Sequence, residues 1–154
     1  MKKTFLVSLC LTLFFSLSLS AQNSNYVEVM RSVLSTEKKA AVADVMEFSK
    51  EESTAFWPVY NEFQQKLYKI NTKRYNVIMD FAENFDKMTD EKAAELLKNY
   101  FMDQMEETKL RKAYLPKFQK VIGNMKTLRY YQTENKIRVL VEYQLAANIP
   151  LLNK

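Results

Sequence analysis

Between Ser49 and Phe85 the chain sets Phe56, Tyr60, Phe63, Leu67, Ile70, Val77 and Phe81 at alternating steps of three and four. The alternation breaks only where Arg74 takes the expected apolar place. That spacing lays one apolar seam along a very long helix, as in helical hairpins and coiled coils. Such a helix cannot cover its own seam, so the chain must supply an equally long partner.

The partner follows at once. Ser49-Lys50-Glu51-Glu52 reads as a capping box that starts the long helix, predicted over about 50–86. Thr89, with Asp90 and Glu91 behind it, caps a further helix predicted over about 90–121. Apolar residues recur there at Ala94, Leu97, Phe101, Met105, Leu115, Phe118 and Ile122, which we assign to its seam. Only Lys87-Met88-Thr89 joins the two helices, so they must lie antiparallel and adjacent. Pro58 and Pro116 then stand thirty and twenty-eight residues from Met88, each roughly 42–45 Å along its helix from the turn. Matched kinks at that level would arch the pair; the alternative is that one proline starts a new helix.

Flanking this hairpin we place a short helix at about 36–47 and a last helix at about 125–147, entered through Gly123-Asn124 and ended by Pro150. One glycine and three prolines leave few places to turn, which excludes a strand-rich fold. The fold class is all-α, a long antiparallel helical hairpin with two shorter helices. Leu128, Tyr131, Val139, Tyr143 and Ala146 share one face of the last helix, yet Ile137, Leu140, Val141 and Leu145 make it apolar nearly all round. Such a helix is inserted among others or shared with a second copy. A homodimer is our preferred reading, with burial against the first helix as the alternative.

The amino terminus has its own signature. Lys2 and Lys3 precede an apolar run from Phe5 to Leu19 that ends in small residues. We read 1–21 as a secretory signal peptide cut near Ser20 or Ala21, 22–35 as a loose leader, and 36–150 as one helical domain. Cleavage would remove Cys10, the sole cysteine, and lower the net charge of +5 by two. With no histidine anywhere, Cys/His zinc sites and His-assisted nucleophiles are excluded. Asp103 and Glu107, one turn apart, lack the histidine a bundle di-metal site needs and read as a solvated face paired to Lys and Arg. We therefore expect no enzyme, no cofactor and no metal.

Charge is segregated. Acids dominate Asp80 to Glu107, whereas Glu134 is the only acid among the bases of Lys109 to Arg138. Export argues against nucleic acid, leaving acidic client segments, weak contact with an anionic membrane surface, or solubility. Tyr100, Phe101, Met102 and Met105 crowd a section poor in core residues, with Tyr68 and Tyr75 roughly across the hairpin. Flexible methionine and amphipathic tyrosine suit varied partners. The candidate binding residues are Tyr68, Tyr75, Tyr100, Met102 and Met105, with Arg111, Lys112 and Lys117 as a basic docking end.

The plan resembles the Spy/CpxP-like family of periplasmic helical proteins, known for a Leu-Thr-x-x-Gln motif at helix starts. Phe48-Ser49-Lys50-Glu51-Glu52 and Ile122-Gly123-Asn124-Met125-Lys126 occupy the two corresponding places, neither with the final Gln. The resemblance implies a curved, dimeric hairpin acting in the periplasm as a non-enzymatic, ATP-independent envelope-stress chaperone or adaptor. Its partners would be unfolded or partly folded envelope proteins. The alternative is a regulatory subunit docking on a membrane sensor or anti-sigma system.

Overall fold

A computed structural model describes residues 34–152, and among them there are helices and turns but no strand. Helix α1 spans 34–46, α2 spans Lys50–Asn84, a single 3-10 turn covers Phe85–Lys87, and α3 runs over Asp90–Asn148 with a break at Gly123. The expected signal peptide and the leader up to residue 33 lie outside the described residues; Leu34 and Ser35, placed in the loose leader, are helical. The chain divides after Asp44 into two compact units, and everything that follows concerns the second, from Val45 onward.

The helix starts are set by the side chains that marked them. Ser49 Oγ accepts from the Glu52 amide at 3.2 Å, and the Ser49 amide donates to Glu52 Oε2 at 2.8 Å. Two donors at that helix end are thereby satisfied. Thr89 Oγ1 accepts from the Lys92 amide at 3.2 Å. Pro58 and Pro116 both lie inside helices, so neither starts a new one.

On α2 the seam is as expected at its first half: Phe56, Tyr60, Phe63, Leu67 and Ile70 are all buried. They meet rings from α3, with Phe63 5.3 Å from Tyr114 and Phe56 5.6 Å from Phe118. Each fully buried ring contributes about 2–3 kcal/mol of transfer free energy, so this cluster is the main cohesive feature of the unit. Beyond Ile70 the seam weakens, and Val77 and Phe81 are only half-buried.

On α3 the assigned seam is rotated. Its buried residues before Gly123 are Leu96, Asp103, Glu107, Tyr114, Phe118 and Ile122. Of the positions assigned from the sequence only Phe118 and Ile122 are buried, while Ala94, Leu97, Phe101, Met105 and Leu115 are exposed. The cause is Arg74, which occupies the opposing seam on α2 and draws Glu107 inward to 2.7 Å. Asp103 and Glu107 are thus buried rather than a solvated face. The helix turns to keep that pair, and its most regular apolar stripe faces outward.

Gly123 redirects the chain. Its φ of 72° and ψ of 171° belong to a region that L side chains rarely enter. After it, Tyr130 packs 4.6 Å from Phe118 and the Tyr131 hydroxyl donates to the Arg111 carbonyl at 2.8 Å. In a straight helix those separations would be roughly 18 and 30 Å, so the arm 124–148 turns back along the arm 90–122. Its buried face is Thr127, Tyr130 and Glu134, with Leu128, Val139, Leu140 and Tyr143 exposed. Of the face assigned from Leu128, Tyr131, Val139, Tyr143 and Ala146, Tyr131 is half-buried and the other four are exposed, because ring packing at Tyr130 and the Glu134 bond to Gln64 fix the rotation.

Candidate functional site

Two features of α3 could act on a partner: a polar seam held inside and an apolar ridge held outside. The seam is an alternating chain of ion pairs. Arg111 Nε donates to Glu107 Oε1 at 2.8 Å and Arg74 Nη2 to Glu107 Oε2 at 2.7 Å. Arg74 Nη1 lies 3.8 Å from Glu142 Oε1, and Arg138 Nη1 donates to Glu142 at 2.6 and 2.7 Å. Burial opposes ionisation of Glu107, but the Arg74 hydrogen bond and the neighbouring Arg111 outweigh it and hold its carboxyl below the ordinary value. Asp103 behaves oppositely: burial, then the charge of Glu106, raise its carboxyl above the usual range, with Lys73 and Arg74 only partly offsetting.

A second polar node lies deeper. Glu134 is buried and accepts from Gln64 Nε2 at 3.0 Å. Burial and then the Glu134 charge push the Tyr130 and Tyr60 hydroxyls well above their ordinary range. Tyr131 is pushed up to about 12, mainly by burial. These tyrosines stay neutral and serve as packing, not as acids. Among the described residues no three acidic side chains converge in a way that could hold a metal ion.

The sequence-predicted binding residues are not gathered in one place. Tyr68, Tyr100, Met102 and Met105 are exposed and Tyr75 is half-buried. Met102 borders a cleft with Lys73 and Glu106, Tyr100 lines a separate cavity, and Met105 faces outward beside Phe101. Of the basic end, Arg111 is committed to Glu107, and Lys117 lies 3.3 Å from Glu62 and 4.3 Å above the Tyr114 ring. The Tyr114 hydroxyl, then Lys66 and Lys117, hold the Glu62 carboxyl down at about 2. Lys112 is exposed. Reversing Arg111 would thus test the fold before it tested docking.

What the geometry does bring together is Leu97, Phe101 and Met105. They stand at successive steps of four on the outer face of α3, exposed by 58%, 59% and 55%. Phe101 and Met105 border a shallow depression with Gln104, Thr108 and Lys109. Contiguous exposed apolar side chains of this kind mark interaction surfaces. The spacing of this stripe was visible in the sequence, but its direction was not. No family model, curated protein or solved structure matches this chain.

Proposed function

We propose that this chain is an exported, non-enzymatic envelope-stress protein of the Spy/CpxP-like type, holding unfolded or partly folded envelope proteins in the periplasm without ATP. The observation that carries the reading is the outward ridge of Leu97, Phe101 and Met105, set among Lys98, Lys109 and Lys112 on the same helix. An apolar line flanked by cations suits client segments that expose apolar residues among acids. The basic, apolar amino-terminal run supports export.

In this reading α2 and the arm 90–122 form an antiparallel hairpin. Ion-pair partners fall in number along α3 as they rise along α2: Glu62 with Lys117, Lys73 with Glu106, Asp80 with Lys92. The Phe56–Phe118 ring contact, two residues from each proline, supports Pro58 and Pro116 as bends at one level. The exposed Val139, Leu140 and Tyr143 offer a homodimer face, and light scattering that returned a single-chain mass would remove it.

The direct test is suppression of client aggregation by the processed protein, beside a Leu97→Glu/Phe101→Glu/Met105→Glu variant. Wild type should keep a thermally unfolding client soluble, and the variant should lose that activity while melting within a few degrees of wild type. Equal protection by both proteins would refute the assignment of the ridge.

A further inference from the structure

Near the Met88 turn, α2, the arm 90–122 and the returning arm 124–148 border a half-open cavity of about 670 Å³. Its walls are apolar, with Val77, Ile78, Phe81, Leu96, Leu145 and Ile149 among them. Natural cores are packed nearly as tightly as organic crystals, so a space of this size is a binding volume by scale, not a packing defect. It persists because Arg74 and Asp103 stand where apolar knobs would fill the seam, and because Ala93 and Ala146 on the lining are small.

The polar part of the lining has an imbalance. Arg74, Arg138 and Glu142 are joined in the ion-pair chain described above. Asp103 also lines the cavity and is only 5% exposed, yet its Oδ2 has no hydrogen-bond partner. A buried carboxylate oxygen left without a donor is costly. A cation is the group that would relieve it most, since charge-assisted hydrogen bonds are about twice as strong as neutral ones. The lining also carries Arg74 and Arg138, but both are already paired with Glu107 and Glu142, which leaves Asp103 as the acid without a direct ion pair. An anionic head would have to displace Glu142 from those arginines.

From this geometry we propose that the cavity binds a small cationic amphiphile, an alkylammonium whose apolar body lies among the three helical segments and whose head bonds Asp103. The site shares Leu97 with the outer ridge. Phe101 and Met105 lie away from it on the far side of α3 and bound a separate depression, so a Phe101→Glu/Met105→Glu variant separates loss of the ridge from loss of the cavity.

The experiment is isothermal titration of the processed protein with decylamine, decanol and decanoate, each below its micellar range. Decylamine should bind at a single site and about tenfold tighter than decanol, because its ammonium pairs with the Asp103 charge while the hydroxyl meets that charge only as a dipole. Decanoate should bind no tighter than decanol. Asp103→Asn should bring decylamine down to the affinity of decanol. Ala93→Phe, which narrows the apolar volume at a position apart from Asp103, should weaken all three together and keep their ranking. Failure of wild type to bind decylamine, tighter binding of decanoate, or an undiminished amine preference in Asp103→Asn would each overturn the proposal. The wild-type ranking stands as a test even if a variant fails to fold.

Discussion

Replacing Glu107 by Gln removes the charge on which two arginines of the inner seam converge. The Glu107 side chain is 9% exposed, and those of Arg74 and Arg111 are 19% and 20% exposed. Without the carboxylate, two guanidiniums face one another in a partly dry seam. Removing one partner of a fully buried pair costs about 3–5 kcal/mol. Here each arginine keeps some water, and Arg74 retains Glu142 at 3.8 Å, so we expect a loss of about 2–3 kcal/mol. For a chain of this size that lowers Tm by roughly 6–15 °C. The pH dependence gives the sign. Glu107 titrates below its ordinary 4.5 when folded, so its contribution is complete above that value and fades as pH falls through the folded pKa. Thermal and urea unfolding followed by circular dichroism should show a wide gap between wild type and Glu107→Gln near neutrality, closing only as pH falls below the ordinary 4.5 and through the lowered folded value. Arg74→Met/Glu107→Leu should recover at least about 1 kcal/mol of the loss, since no cation then faces the seam from α2. A loss under about 0.5 kcal/mol, the scale of an exposed pair, or a gap unchanged in acid, would refute a buried node.

Gly123→Ala should destabilise by about 1–3 kcal/mol. No atom lies within 4 Å of the added Cβ, so the whole effect is backbone strain, and Gly123→Asn should not rescue it because the conformation is not left-handed helical. Ser49→Ala removes the hydroxyl half of the capping box and should cost about 1 kcal/mol in urea unfolding. Asp103→Asn should raise Tm at neutral pH. Its folded pKa is above the ordinary 3.8, so the ionised group opposes folding above the raised value, and the gain should vanish in acid once Asp103 is protonated in both states.

The helix starts were legible because each rests on adjacent residues: Ser49 with Glu52, and Thr89 with its acidic first turn. The first half of the α2 seam was legible for a similar reason, since five apolar residues at 3-4 steps leave little choice of face. The α3 seam was not. Its buried middle is Asp103 and Glu107, and a search for apolar spacing passes over acids and settles on Leu97, Phe101 and Met105. The signal that could have corrected this was Arg74. Level-matching about Met88, as applied to the prolines, sets Arg74 against the region of Asp103, Glu106 and Glu107, and a cation on a seam calls for an acid opposite it. The break at Gly123 was also legible, but not its outcome: a lone glycine says that a helix is interrupted, not that the next arm returns along the last. The cavity depends on how far that arm reaches, which only the assembled unit fixes.

The rotation of α3 links the ridge to the cavity. A helix has one inner face, and Glu107 takes it because Arg74 waits on α2. Phe101 and Met105 lie two positions before Asp103 and Glu107 in turn, about 160° around the helix, so drawing the acids in drives that stripe out. The same acids leave the inner seam without the bulk that would fill it near Asp103. Apolar residues at Asp103 and Glu107 would close the volume and remove the reason for the rotation, and Leu97, Phe101 and Met105 would then compete for the interior. Stability is given up in the seam, and the outward stripe and the inner volume both follow from that one choice of register.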